Sequence, residues 1–354
     1  MNGPGRSRPG QVEAVMLMCQ LLGFTVLAAL LAGCAAPSQL GADGRARIEG
    51  RTFVVTGASS GVGRGVALKL ASYGANVVLA ARRTDVLNEV SGEVRAAGGQ
   101  ALAVTTDVSR AGEVEQLAGA AVARFGRIDA WINDAAVAAI GRFEDIPAED
   151  HARVVDVNLK GYLYGSHAAL RQFRRQGFGT LVNVASVEGR LPLAYHASYA
   201  ATKAAILAFG AALNQELRLS GADQIRVASV LPWALDTPFW EHTANYSGGT
   251  PRIYSMEDPA GTVDAVVWVA IHPTKQYAVG WRAKTALIGD QVWPGLAEHL
   301  GADVVHRAQV ETAPPAPPTT GSLYEPTPFG TAIEGDARTR MDREDRQRLG
   351  QDPR

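Results

Sequence analysis

Tyr199 and Lys203 stand four residues apart in the stretch Tyr199-Ala-Ala-Thr-Lys203. Residues at that spacing share one face of a helix. An ammonium group beside a phenol stabilises the phenolate, so the spacing predicts a Tyr199 pKa lowered from about 10 toward working pH. Such a phenol can give a proton to a carbonyl oxygen as the carbonyl is reduced, or take it back on oxidation. Ser186, thirteen residues upstream, can hydrogen-bond the same oxygen and stabilise its developing charge. Lysine is scarce: Lys69, Lys160, Lys203, Lys275 and Lys284 are the five in the chain. A chance Tyr-x-x-x-Lys is therefore expected only about 0.1 times.

These side chains need a scaffold, and the pattern around them supplies one. Short β-branched runs at Thr52–Thr56, Asn76–Ala81, Ala101–Thr105, Ile128–Asn133, Leu181–Ala185 and Ile225–Leu231 read as strands. Longer amphipathic stretches between them, such as Val62–Tyr73, Asp85–Ala97 and Glu113–Phe125, read as helices. The alternation predicts an α/β fold: a single doubly wound, Rossmann-type domain with a parallel sheet, over residues 51–305.

Between the first strand and the first helix lies Thr56-Gly57-Ala58-Ser59-Ser60-Gly61-Val62-Gly63. Glycines there allow a tight turn and close approach to a pyrophosphate, which the amides at the helix start then face. With 38 glycines in the chain, position rather than the cluster itself carries the signal. The second strand runs into Arg82 and Arg83 where an acidic residue would suit the ribose 2′-hydroxyl of NAD. Two arginines suit the 2′-phosphate of NADP, so NADP(H) is expected over NAD(H). A solvated arginine pair is the competing reading, although cations near a helix N-terminus gain nothing from the dipole.

Taken together, these motifs resemble the short-chain dehydrogenase/reductase family over roughly residues 51–289. The resemblance rests on TGASSGVG at 56–63, Asp107 after the third strand, Asn158 in VDVNLKG, Ser186 in VNVASVEG, and the Tyr199–Lys203 motif. It implies a catalytic set of Asn158, Ser186, Tyr199 and Lys203. Asn158 would hold a proton-relay water, and Lys203 would also bind the nicotinamide ribose. It implies a cofactor site of Gly57, Ser59, Ser60, Gly61, Val62, Gly63, Arg82, Arg83, Asp107, Val108, Asn133, Tyr199, Lys203, Pro232 and Thr237, with Asp107 at the adenine. Three features depart from the family pattern. Asn133-Asp134-Ala135-Ala136 replaces Asn-Asn-Ala-Gly, placing a methyl group near the cofactor, and Pro232-Trp233 replaces Pro-Gly. Extensions at both ends lie outside the resemblance. The function implied is NADP(H)-dependent interconversion of a carbonyl and a secondary alcohol. A non-catalytic NADP(H)-sensing regulator on the same scaffold is the alternative, though a sensor has no need of the Ser186–Tyr199–Lys203 set.

Trp233, Phe239, Trp240 and Tyr246 fall where the family carries its substrate lid, with Gly248 and Gly249 as hinges. They suggest an apolar carbonyl or alcohol as substrate. They would serve equally well as loop anchors or as a face toward a membrane or subunit. Tyr195 and His196 are candidates for the same cleft. A second copy of the chain is a further candidate partner.

The ends read differently. Ala14 to Ala32 is almost wholly apolar, follows Arg6 and Arg8, and closes on Leu31-Ala32-Gly33-Cys34. That is the pattern of a secretory signal, and its last four residues resemble a bacterial lipoprotein signal with Cys34 lipidated. At about 20 residues the run would also serve as an uncleaved membrane anchor, and a misassigned start would leave the protein cytoplasmic. An exported domain sits awkwardly with NADP(H), a cofactor of the cell interior, whereas a cytoplasm-facing anchor does not. Residues 1–34 are thus expected to be a signal or anchor, 35–50 a linker, and 306–354 a proline-rich, charged, disordered tail. The two cysteines, Cys19 and Cys34, both precede the domain, which excludes a disulfide framework, a thiolate metal site and a cysteine nucleophile within it. No metal is expected. A net charge of -1 gives no reason to expect a nucleic-acid partner.

Overall fold

A computed structural model of the protein describes residues 39–350. The first half alternates strands and helices: β1 (Thr52–Thr56), α2 (Gly61–Ala71), β2 (Asn76–Ala81), α3 (Thr84–Ala96), β3 (Gln100–Thr105), α4 (Ala111–Phe125) and β4 (Ala130–Asn133), after a short α1 (Ala42–Ala46). Next come β5 (Ala139–Ile140), α5 (Ala148–Val155), a π-helical turn at Asp156–Lys160, α6 (Gly161–Gln176), β6 (Gly179–Val184), α7 (Ala197–Leu219) and β7 (Ile225–Leu231). The last part holds α8 (Phe239–His242), β8 (Ala244–Asn245), α9 (Ala260–Ile271), β9 (Gln276–Ala278), α10 (Gly280–Val292), α11 (Pro294–His306) and α12 (Ala337–Arg348).

Seven strands form one sheet in the order β3-β2-β1-β4-β6-β7-β9, every pair parallel. Helices cover both faces, so β1 is buried along its whole length. Its side chains alternate between two cores. Phe53 and Val55 pack with Val66 and Leu70 of α2 and with Val266 and Val267 of α9. Val54 packs on the other side with Leu117 of α4, Trp131 of β4 and Phe173 of α6. Phe173 has no exposed surface. Phe173→Ala is expected to cost about 3–5 kcal/mol, read as a lowered urea midpoint at unchanged slope. The strand order reverses between β1 and β4, and the crevice at the strands' C-terminal ends is where this fold binds ligands.

The doubly wound domain agrees with the sequence reading, but its two ends correct it. Residues 35–50 are more than a linker: α1 forms there and Ile48, with no exposed surface, joins the first core. The C-terminal tail is not disordered. After Glu311 the chain runs as a strap across the domain. Thr319 bridges Asn245 and Pro315 bridges Gly249. Leu323 is buried in the second core, and α12 buries Ala337 and Met341 against Trp240 and Ile140. Arg252, fully buried, donates to Asp345 at 2.8 Å and lies 3.3 Å from Glu344. The tail has no apolar periodicity because backbone carbonyls, a few single apolar side chains and ion pairs hold it. The compact unit therefore continues past residue 305. The apolar segment and Cys34 lie outside the described residues. Among the described residues no helix is long and apolar enough to cross a membrane.

Candidate active site

β1 ends in the glycine turn. Gly57 has φ +74°, and a Cβ there would lie 2.9 Å from the Ala135 amide nitrogen. A side chain is therefore excluded both by backbone conformation and by the segment following β4. A Cβ on Gly63 would sit 2.5 Å from the Gly57 carbonyl oxygen, so the turn and the start of α2 are in close contact. Thr56 secures the neighbouring segment by accepting the amides of Asp134 (3.1 Å) and Ala135 (3.3 Å) through Oγ1.

Ser186 follows β6 and starts a short 3-10 turn, its Oγ accepting the Glu188 amide at 3.1 Å. Its hydroxyl also meets the Tyr199 phenol. Tyr199 and Lys203 project from the first turns of α7. Lys203 is 2 % exposed, donates to the Val184 carbonyl at 2.8 Å and to the Tyr162 hydroxyl at 3.5 Å, and lies 5.5 Å from the Tyr199 ring centroid. Ser186, Tyr199 and Lys203 line one cleft together with the glycine turn, Arg82, Arg83, Asp107, Val108, Pro232 and Thr237.

The predicted depression of the Tyr199 pKa is not what the site produces. Burial pushes the phenol well up, the nearby Glu188 carboxylate adds to the rise, and only the Ser186 hydrogen bond opposes it. The Tyr199 phenol is thereby held above its ordinary pKa rather than below it. Burial lowers Lys203 and raises Asp134, and attraction between the two opposes both shifts. Asp134 accepts the Gly63 amide and lines the cleft.

Three expected site residues do not line the cleft: Gly63, packed against the Gly57 carbonyl, Asn133 and Asn158. Asn158 is fully buried; its amide accepts from the Val137 nitrogen (2.9 Å) and donates to the Val137 carbonyl (2.9 Å) and to Thr202 (3.2 Å). It clamps the chain after β4 onto α7. Asn133, 1 % exposed, accepts the Trp131 indole N–H (2.8 Å) and donates to Asn183 (3.0 Å), inside the sheet rather than beneath a ligand. Gly61 lines the cleft, but its amide donates to the Ala332 carbonyl of the strap at 2.9 Å. Asp107 also lines the cleft, with its carboxylate on Ser109 (2.7 Å) and Arg153 (3.0 Å), contacts that hold its pKa down against burial.

Trp233, Phe239 and Trp240 form walls of the cleft, with Leu191, Leu193 and Ile253. Tyr246 instead hydrogen-bonds the Asp150 carboxylate outside it. Tyr195 also turns away, its hydroxyl bonded to His306 at 2.6 Å. The wall contains a polar pair that sequence reasoning missed in part: His196 Nδ1 lies 3.1 Å from both Glu188 carboxylate oxygens, and both side chains are buried. Glu188 carries no local signal, because only the fold brings the 3-10 turn against the start of α7.

The pattern of the short chain dehydrogenase family matches residues 51–246. The chain belongs to that family. It is 32% identical over 282 residues to an uncharacterized oxidoreductase, YxnA, of Bacillus subtilis (strain 168), covering 79% of each chain. Among solved structures, it resembles an alcohol dehydrogenase from the archaeon Thermococcus sibiricus complexed with 5-hydroxy-NADP (TM-score 0.56, 26% identity, covering 64% of this chain and 95% of the other). It also resembles a short-chain type dehydrogenase/reductase from Mycobacterium marinum (TM-score 0.58, 29% identity, covering 67% of this chain and 96% of the other).

Short-chain dehydrogenases use a nicotinamide dinucleotide, and the cleft sets two guanidinium groups beside the glycine turn. Arg83 donates through Nε and Nη2 to Ser59 Oγ (3.2 and 3.0 Å) and through Nη2 to Ser60 Oγ (2.9 Å), at the edge of the glycine turn. The charges nearest it are other arginines, Arg82 and Arg64, and these and burial lower its pKa. Arg82 feels Asp107 and Glu325 only through space, and burial lowers its pKa as well. Among the described residues neither guanidinium has an ion-pair partner, leaving two positive charges beside the site. The Ala136 methyl is part of the cleft wall.

Proposed function

We propose that this dehydrogenase interconverts a carbonyl and a secondary alcohol with NADP(H), using Tyr199 as general acid and base. The observation that carries the reading is the meeting of Ser186, Tyr199 and Lys203 in the cleft that also holds the glycine turn and the arginine pair. The nicotinamide, when bound, supplies or accepts the hydride. Everything else falls to the protein. The Ser186 hydroxyl orients the substrate oxygen and stabilises its charge. The neutral Tyr199 phenol delivers the proton to that oxygen in reduction. Lys203, held by the Val184 carbonyl with its ammonium 5.5 Å from the Tyr199 ring centroid, would bind the nicotinamide ribose. Asn158 acts through the segment it clamps, and a relay water would be held from its backbone, since its side chain is committed.

NADP(H) over NAD(H) rests on the unpaired charges of Arg82 and Arg83 beside Ser59 and Ser60. The substrate reading is a largely apolar carbonyl or alcohol, with Trp233, Phe239 and Trp240 as walls and the His196–Glu188 pair to meet one polar group. The test is a panel of ketones and aldehydes assayed with the whole chain by NADPH absorbance. Turnover of apolar members with NADPH above NADH is expected, and turnover confined to small charged substrates would overturn the substrate reading.

A membrane tether through a lipidated Cys34 is proposed from the Leu31-Ala32-Gly33-Cys34 motif. Feeding a labelled fatty-acid precursor to expressing cells is expected to label the protein but not its Cys34→Ser variant. Equal labelling of the two would remove the assignment.

A further inference from the structure

The C-terminal strap is anchored on both sides of the nucleotide cleft. On one side Arg82 donates to the carbonyls of Ser322 (2.6 Å) and Tyr324 (2.9 Å), and Arg83 to that of Phe329 (2.9 Å). Arg64 of α2 donates to Thr331 at 2.9 Å, and the Gly61 amide to Ala332 at 2.9 Å. On the far side Gly335 donates to the Asp236 carbonyl at 3.0 Å, and Arg338 pairs with the Asp236 carboxylate at 2.7 Å. Between these anchors Ser322, Pro326 and Thr327 line the cleft itself.

The chemistry of these contacts decides what the strap does. Every group it offers to Arg82 and Arg83 within hydrogen-bond distance is a neutral carbonyl. Carbonyls fix the direction of a guanidinium without cancelling its charge, whereas a carboxylate would do both. Arg83 keeps Nε and Nη2 on Ser59 and Ser60, facing the glycine turn, while Nη1 is held from behind by the strap. That arrangement orients a charged fork toward an anion and leaves it unneutralised.

We propose that residues 322–335 are part of the cofactor site: their carbonyls position Arg82 and Arg83 for the 2′-phosphate, and the strap walls in the adenosine end so that NADP(H) leaves only when it lifts. This rests on the NADP(H) reading above. The strap residues thus set both the cofactor's residence time and its preference for the 2′-phosphate.

Two variants loosen the strap at positions that do not themselves line the cleft; the first also presses on Thr237, which does, so the second serves as its control. In Gly335→Val the new Cβ would meet the Thr237 carbonyl carbon and oxygen at 2.7 Å, so the strap cannot seat. Arg338→Met removes the ion pair to Asp236 that anchors the strap on the far side and keeps an apolar stem; it is the second variant in case the first folds poorly. Nucleotide binding and release are followed on the whole chain by nicotinamide fluorescence, with NADPH and NADH as probes. For the wild type, tighter binding of NADPH than NADH is expected. In either folded variant the NADPH release rate should rise, and the NADPH-to-NADH affinity ratio should fall, by about tenfold, the size of one weakened charge-assisted contact. Unchanged release and ratio in both variants would overturn the strap's role. Tighter NADPH binding in the variants would overturn it too, because the strap would then be a competitor for the site. A wild type that prefers NADH would sink the NADP(H) reading instead, whatever the variants do.

Discussion

Tyr199→Phe is expected to lower kcat by about 10²–10⁴-fold, the range that a positioned proton donor contributes. The ring remains, so its packing against Phe239, 5.7 Å between centroids, is kept and NADPH affinity should stay within about threefold. The check is steady-state turnover beside direct titration with NADPH. A variant retaining more than about a tenth of wild-type kcat would contradict the role given to Tyr199. The direction of the tyrosine's pKa adds a pH prediction. Burial raises it above its ordinary value near 10, so the phenol stays protonated across the physiological range. The rate of carbonyl reduction should therefore show no fall from Tyr199 ionisation between about pH 6 and 9. A fall centred near pH 7 in wild type that vanishes in a Lys203→Met variant would restore the lysine-lowered phenol of the sequence reading.

The second large effect concerns the cofactor. Replacing both Arg82 and Arg83 by alanine is expected to reduce the ratio of NADPH to NADH affinity by about 100-fold or more, since each charge-assisted contact is worth about 1.5–3 kcal/mol. The two singles should differ. Arg83 reaches Ser59 and Ser60 at the glycine turn, whereas Arg82 donates only to strap carbonyls. Arg83→Ala should thus carry most of the lost discrimination, and Arg82→Ala should act mainly by releasing the strap. Competition titrations with both nucleotides measure this. An unchanged ratio in the double variant would show that the arginines serve the strap alone.

These two predictions draw on different kinds of information. Tyr199, Lys203 and Ser186 are legible in the chain because their relation is nearly local. A four-residue spacing on α7 places two side chains on one face, and the turn that follows β6, thirteen residues earlier, delivers the third. The glycine turn is legible for the same reason, since strand, turn and helix are consecutive. The parallel, doubly wound sheet follows from the alternation of strand and helix, whereas its strand order came only from the structure, and the short β5, β8 and β9 were not foreseen. Runs of two or three residues carry no readable period.

What the sequence determined by itself is the candidate reaction centre: that Ser186, Tyr199 and Lys203 meet at the start of α7, beside the glycine turn. Tertiary structure alone decided the rest. The side chains of Asn133 and Asn158 serve the scaffold, because burial committed them to protein partners: Trp131 and Asn183 for the first, the Val137 backbone and Thr202 for the second. Glu188 joins His196 because a 3-10 turn folds against α7. The tail becomes a strap because Arg82 meets Ser322, 240 residues further on. A backbone carbonyl is present at every residue, so a segment held by its carbonyls leaves no mark of residue type in the sequence. Only the arginines that receive it do, and read alone they pointed to the cofactor.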